Sequence, residues 1–331
     1  MVFFIISDDL TGAAGVASMV DHSIAVTVNL DRFDRELTGE FACIVLNLEI
    51  RVSSEIEAAR RLSLALDIVG ESPVALRIDS ALRGHVRMLV EAMLRRGDVM
   101  VTDTIPEYGR RTRSGRTVVG DQKTDIESPL EPLRRKRKDR SITVADSETY
   151  DDLDRLARSC VEHDLIPIDP GLLVATVVRT RLGLGTRTSN PSRGKASKVA
   201  FVVGTRDPRT MEQLRHMKGL GFPIQKPAVK RAEGVDVFFF SMKKEKGVIT
   251  GPFMEHLAGY DALVLSGGAT ANLILERSGF RYLQSEGQVQ PLVSSGIVKG
   301  GLLDGRRVVL KGGFIGDEKT YKTILDWLRK G

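Results

Sequence analysis

Cysteine is nearly absent from this chain. Cys43 and Cys160 are far apart and show no spacing of a metal or redox motif, which argues against a disulfide framework or a zinc site and for a reducing, cytoplasmic setting. No apolar run approaches the roughly 20 residues that a membrane-spanning helix needs. The apolar start Val2 to Ile6 is interrupted at once by Asp8 and Asp9, so neither a membrane partner nor a signal peptide is expected. Aromatic residues make up only 5% of the chain, and none interleaves the basic run Arg134 to Lys138, so that run reads as a solvated surface and no nucleic-acid partner is expected. Also missing are a Walker-type glycine loop, a dinucleotide fingerprint, a zinc-protease helix and a serine nucleophile elbow.

What is present is enough for a large core. A chain of 331 residues, 42% hydrophobic and 28% charged, is expected to form a folded protein of two domains. The net charge of +6 favours anionic partners, phosphorylated small molecules and acidic metabolites among them. Short apolar runs end in Gly, Ser or Asp and give way to helical spacing: Val2 to Ile6, Cys43 to Leu48, Val74 to Ile78, Val99 to Thr102, Val199 to Val203, Ala262 to Leu265 and Val308 to Leu310. Helices are expected at Ser54 to Val69, Asp151 to Glu162, Thr210 to Lys218, Ala269 to Ser278 and Lys319 to Arg329. Strands alternating with helices specify an α/β fold on mainly parallel sheets, and in such sheets ligands bind beyond the carboxyl ends of the strands. A linker is expected between Leu182 and Lys198, giving domains over 1–190 and 191–331, and the polar stretch Gly109 to Arg140 reads as a long surface loop.

Six strand ends carry the groups of interest. Asp8 and Asp9 follow the first run and precede Thr11, Gly12, Ala13 and Gly15; the pair can order hydroxyls, hold a cation or remove a proton, or else only cap a helix. Arg77, Asp79, Ser80, Arg83, Gly84 and His85 follow another run. Arg83 suits bidentate capture of a carboxylate, with Asp79 and Ser80 bonding to hydroxyls; the competing reading is an internal Arg–Asp pair. Next come Asp103 and the arginines Arg110, Arg111, Arg113 and Arg116, an anion-gripping loop or a solvated one. In the second half, Gly204 and Thr205, Ser266 to Gly268, and Lys311 to Gly313 form three glycine turns after three apolar runs. Ser266, Gly267, Gly268, Ala269 and Thr270 lead into a helix, whose free amides suit a phosphate, with Lys311 as an added point charge.

The ordered series Asp8-Asp9-Leu10-Thr11-Gly12-Ala13, Ile78-Asp79-Ser80-Ala81-Leu82-Arg83-Gly84, Pro106 through Gly109-Arg110-Arg111-Thr112, Val203-Gly204-Thr205, Ser266-Gly267-Gly268-Ala269-Thr270-Ala271 and Lys311-Gly312-Gly313 resembles the four-carbon acid sugar kinases. The resemblance runs from Ser7 to about Gly316. It implies two α/β domains with an active site in the cleft between them, the first receiving a sugar acid and the second ATP with magnesium. The implied sites are Asp8 or Asp9 as base, then Asp79, Ser80, Arg83, Gly84 and Arg110 on the substrate. Gly204, Thr205, Ser266 to Thr270, Lys311 to Gly313 and Gly316 would then serve the nucleotide. The chain departs from the family at Ala269, where an acid is usual, at Arg77, where Lys is usual, and at His85, where Asn is usual. Asp317 is the candidate to replace the acid as a metal ligand, and Ala269 motivates a second reading as a non-catalytic nucleotide- or metabolite-binding relative. Substrate stereochemistry and homo-oligomerisation stay open at this level.

Overall fold

A computed structural model describes residues 2–21, 24–184, 195–229 and 234–330. The chain forms two compact units, Met1–Thr188 and Ser189–Gly331. Most of the expected linker, 185–194, lies outside the described residues.

The first unit opens with β1 (Phe3–Ser7), α1 (Leu10–Val20), β2 (Ala25–Asn29), α2 (Leu37–Glu40), β3 (Cys43–Asn47) and α3 (Glu55–Val69). It continues through β4 (Val74–Arg77), α4 (Val86–Leu94), β5 (Val99–Val101), β6 (Arg110–Arg113), β7 (Arg116–Val119), β8 (Gln122–Asp125) and α5 (Glu127–Lys136). It closes with β9 (Ile142–Val144), α6 (Tyr150–Glu162), β10 (Ile166–Asp169) and α7 (Leu172–Arg181). Its main sheet has the order β2-β3-β1-β4-β10-β5-β9, every pair parallel. Being covered on both faces, these strands are continuous apolar runs such as the fully buried Phe3–Ser7, and this is why they could be found in the sequence. Small residues of α1 (Ala13, Val16, Ala17) pack on Phe3, Ile5 and the α7 residues Val174 and Val178.

The second unit comprises β11 (Val199–Val203), α8 (Pro208–Gly219), β12 (Ile224–Gln225), β13 (Val235–Phe239), α9 (Met242–Glu245), α10 (Gly251–Leu257) and β14 (Ala262–Ser266). Then follow α11 (Gly268–Ser278), β15 (Tyr282–Gln290), β16 (Val293–Lys299), β17 (Arg307–Lys311) and α12 (Thr320–Lys330). Strands β12-β13-β11-β14-β17 pair in parallel, and β17-β16-β15 antiparallel. The expected mixed α/β architecture on mainly parallel sheets is therefore present. Both cysteines are free and buried, and among the described residues no helix is long and apolar enough to cross a membrane.

The expectation of a surface loop over 109–140 is overturned. Strands β6, β7 and β8 form a separate antiparallel sheet, and α5 follows it. Its polar composition hid a small core: Thr112 and Thr117 are buried, as are Ile126, Leu130 and Leu133. Thr102, Thr104, Thr112 and Ser147 join their hydroxyls in one buried network, so polar side chains with satisfied hydrogen bonds take the place of an apolar stripe. Replacing Leu133 with Ala should destabilise the protein by about 2–5 kcal/mol in urea unfolding. A loss below about 0.5 kcal/mol, the range of exposed sites, would contradict a packed α5.

Candidate functional site

The chemistry of the first unit gathers at the carboxyl ends of β1, β3 and β4. β1 delivers Asp8, and Asp9 caps α1: its Oδ1 accepts from the Gly12 amide at 3.0 Å, and its Oδ2 from the Thr11 hydroxyl at 2.6 Å. Beyond β3 the chain keeps its pairing with β1, the Leu48 amide donating to the Ser7 carbonyl and the Ile50 amide to that of Asp8. This extension places Arg51 against the acids. Its Nε and Nη2 donate to the two Asp8 oxygens at 2.7 and 2.9 Å, and Nη2 also reaches Asp9 Oδ1 at 2.7 Å and stands 3.4 Å from Asp79 Oδ1. Arg77 ends β4 level with Ser7, and its Nη1 donates to Asp8 at 3.1 Å and to Asp9 at 2.9 Å. A side chain at position 12 would overlap this guanidinium, so the glycine there makes room for a cation rather than for a turn.

Asp79 is chelated by Arg83, with Nε to Oδ2 at 2.7 Å and Nη2 to Oδ1 at 2.9 Å. The internal Arg–Asp pair weighed as the plainer alternative is therefore formed, yet the Arg83 side chain remains 54% exposed and can meet a ligand. Gly84, at φ +79, lies against the Arg51 backbone, where an added Cβ would come within 3.2 Å of the Arg51 carbonyl oxygen. Ser80 is buried in the same bend. Arg110 pairs with another acid, donating from Nη1 to Asp103 Oδ2 at 2.7 Å. Thr117 donates to the same oxygen at 2.5 Å, while Asp103 Oδ1 is buried without a hydrogen-bond partner.

Electrostatics separate these acids. At Asp9 burial acts upward, but Arg77, Arg51 and the bonds from Thr11 and Gly12 outweigh it and hold the carboxyl below the usual range. At Asp8 burial dominates, opposed by Arg77 and by the Arg51 bond and reinforced by the Asp9 charge, and the carboxyl is raised. Asp79 faces the same burial, yet Arg83 and Arg51 bring it to about 2. Burial lifts Asp103 to about 7 against the pull of Arg110, and lifts Asp169 to about 6 although three amides, those of Gly171, Leu173 and Val174, donate to it.

In the second unit the three glycine turns meet. β11, β14 and β17 are adjacent, and Val203, Ser266 and Lys311 are level with one another, so Gly204, Gly267 and Gly312 emerge side by side. Gly267 caps α11 at φ +101 and donates its amide to the Lys311 carbonyl at 2.8 Å. A Cβ on Gly204 would overlap Thr270 Oγ1, one on Gly267 would come within 3.1 Å of Thr205 Cβ, and one on Gly313 within 3.0 Å of Thr205 Oγ1. The turns thus converge on two threonines. Thr270 Oγ1 is buried and has no partner, beside the first-turn amides of an 11-residue helix that continues through Ala269. An unsatisfied hydroxyl beside the first-turn amides of a helix fits a phosphate oxygen. Lys311, expected as a point charge near a phosphate, is fully buried, and its amine donates to the carbonyls of Gly312 (2.8 Å) and Gly313 (3.3 Å) and to Thr210 Oγ1 (3.3 Å). Burial pushes it down to about 7. Asp317 uses Oδ1 to accept from the Lys319 amide and the Thr320 hydroxyl at the start of α12.

Two family models match the chain. A sugar-binding N-terminal domain matches residues 3–135, and a nucleotide-binding C-terminal domain matches residues 246–321. The chain belongs to the four-carbon acid sugar kinase family. A D-erythronate kinase of Heliobacterium modesticaldum (strain ATCC 51547 / Ice1) is 23% identical to it, over 88% of this chain and 77% of the relative. Among solved structures, a candidate tRNA synthase of Salmonella typhimurium LT2 superposes with a TM-score of 0.70 at 15% identity, covering 97% of this chain and 98% of that one. A Haemophilus influenzae protein of the DUF1537 family gives a TM-score of 0.60 at 17% identity, covering 98% and 100%. At such identities both show the fold alone.

Sequence reasoning missed Arg51 as a site residue. Its only signal was its place a few residues past the apolar run Cys43 to Leu48, in the same kind of position as the acids. Replacing Arg51 with Met should leave three acids facing Arg77 and Arg83 alone and cost about 3–5 kcal/mol of stability at pH 8. Removing a cation raises the acids' folded pKa values, so protonation relieves the excess charge and the deficit relative to wild type should shrink as pH falls toward 5. A deficit that is constant or grows on acidification would contradict a buried charge-balanced cluster.

Proposed function

We propose that the protein is an ATP-dependent kinase that phosphorylates a hydroxyl of a small sugar acid of about four carbons. The observation that carries this reading is the division of tasks between two adjacent acids. Both acids accept from Arg51 and Arg77, but Asp9 is also committed to the Gly12 amide and the Thr11 hydroxyl of α1, whereas Asp8 is the carboxylate whose affinity for a proton is raised. Asp8 is therefore the base that accepts the substrate hydroxyl's proton, and Asp9 fixes the positions of Arg51 and Arg77 around it. Arg83, half in solvent, takes the substrate carboxylate, with Arg110 as a second cation, while Asp79 and Ser80 accept and donate to the remaining hydroxyls.

On the nucleotide side ATP supplies the transferable phosphoryl group. Gly204, Gly267, Gly312, Gly313 and Gly316 let backbone approach its phosphates, Thr205 lies between the turns, Thr270 offers its free hydroxyl, and the α11 amides at Gly268 to Thr270 face the charge. Magnesium usually enters on nucleotide phosphates with only one or two protein carboxylates, and Asp317 would hold it through Oδ2, the oxygen not used at the start of α12. Positioning and electrostatics suffice for phosphoryl transfer without a covalent nucleophile. The likeness to a D-erythronate kinase supports the acceptor class.

In a coupled assay over a panel of four-carbon sugar acids, ADP release should depend on one or more of them. Asp8→Asn should lower kcat by about 100-fold or more, the scale of a lost general base, with nucleotide KM within a few-fold of wild type. Folded protein that binds nucleotide but turns over with no acid, and gains turnover on Ala269→Asp, would instead identify the non-catalytic relative.

A further inference from the structure

We propose that Lys311, Thr210 and Gln213 are positioning residues that shape the loop 312–318 into an anion nest, holding its carbonyls inward so that its amides face the nucleotide's phosphates. The inference rests on the kinase reading and adds the residues that build its phosphate site.

The bonding of the loop is one-sided. The Gly312 carbonyl accepts from Lys311 Nζ at 2.8 Å, and that of Gly313 from Thr210 Oγ1 at 2.6 Å and Lys311 Nζ at 3.3 Å. Gln213 Nε2 takes the Ile315 carbonyl at 3.0 Å and the Asp317 carbonyl at 2.8 Å. Thr210 and Gln213 sit one turn apart on α8, both fully buried, and Lys311 donates to the Thr210 hydroxyl as well. Three side chains therefore collect four carbonyls of one short loop. Among the described residues no peptide bond is cis, so the N–H that follows each of these carbonyls is antiparallel to it. The amides of Gly313, Phe314, Gly316 and Glu318 consequently point away from α8.

Successive amides turned to one side form a concave binding surface for anions. Gly316 supplies the left-handed bend at φ +84, where an added Cβ would also overlap the Thr320 side chain at the start of α12. The Gly313 end faces Thr205 of the first glycine turn, which joins the nest to the cradle around Thr270. Burying a lysine amine without a carboxylate bonded to it is costly, and here its donors go to loop carbonyls and a hydroxyl. The amine thus acts on the phosphates through the backbone it holds, not by touching them.

Titration calorimetry of the full chain with ATP and with the accepted sugar acid tests the proposal. Thr210→Val, nearly isosteric, and Gln213→Leu should each weaken ATP binding about tenfold or more while sugar-acid affinity stays within twofold, and Thr210→Ser should restore ATP binding. ATP affinity equal to wild type in the Val and Leu variants, or equal losses for both ligands that follow a fall in Tm, would overturn it. Wild-type protein that binds no ATP would remove the kinase reading and the nest together.

Discussion

The mutual compensation of Asp8, Asp9 and Asp79 by Arg51, Arg77 and Arg83 is the constraint on which the first unit depends. Three carboxylates at the ends of neighbouring buried strands could not be ionised without cations packed among them, because desolvation alone would force protons onto them. Each guanidinium comes from a different stretch of chain: Arg51 from the extension of β3, Arg77 from the last position of β4, and Arg83 from the bend after it. Once these are fixed, Gly12 has no alternative, and Gly84 is needed where the two loops touch. The glycines of this site are consequences of charge packing.

The second unit solves a different problem. There the ligand is expected to bring the charge, so the protein offers dipoles in place of side-chain cations. Three level strand ends expose backbone, and the one lysine among them is turned inward. Few charged side chains are engaged, which is why composition alone could not mark this region as the proposed anion site.

Much of this was legible in the sequence where physics leaves a one-dimensional trace. Buried parallel strands must be apolar, so Val199–Val203 was found to the residue and Ala262–Ser266 within one position. Strand ends marked the acids and the glycine turns. Other features leave no such trace. The sheet β6-β7-β8 buries hydroxyls and exposes arginines, the hairpin β15-β16 is polar along most of its length, and β10 enters the sheet between β4 and β5 although far from both in sequence. Arg51 is ordinary as a letter and becomes a site residue only through pairing that brings Ile50 to the Asp8 carbonyl. The orientation of Lys311 likewise depends on α8, a helix about a hundred residues away in the chain.

The most direct measurement is a crystal structure of the full chain with the sugar acid that it turns over. The ligand's carboxylate is expected on Arg83 and one of its hydroxyls within hydrogen-bond reach of Asp8. A ligand bound with neither residue in contact, and with the acid–guanidinium cluster unchanged beneath it, would show that this cluster is structural and that the sugar acid is recognised elsewhere.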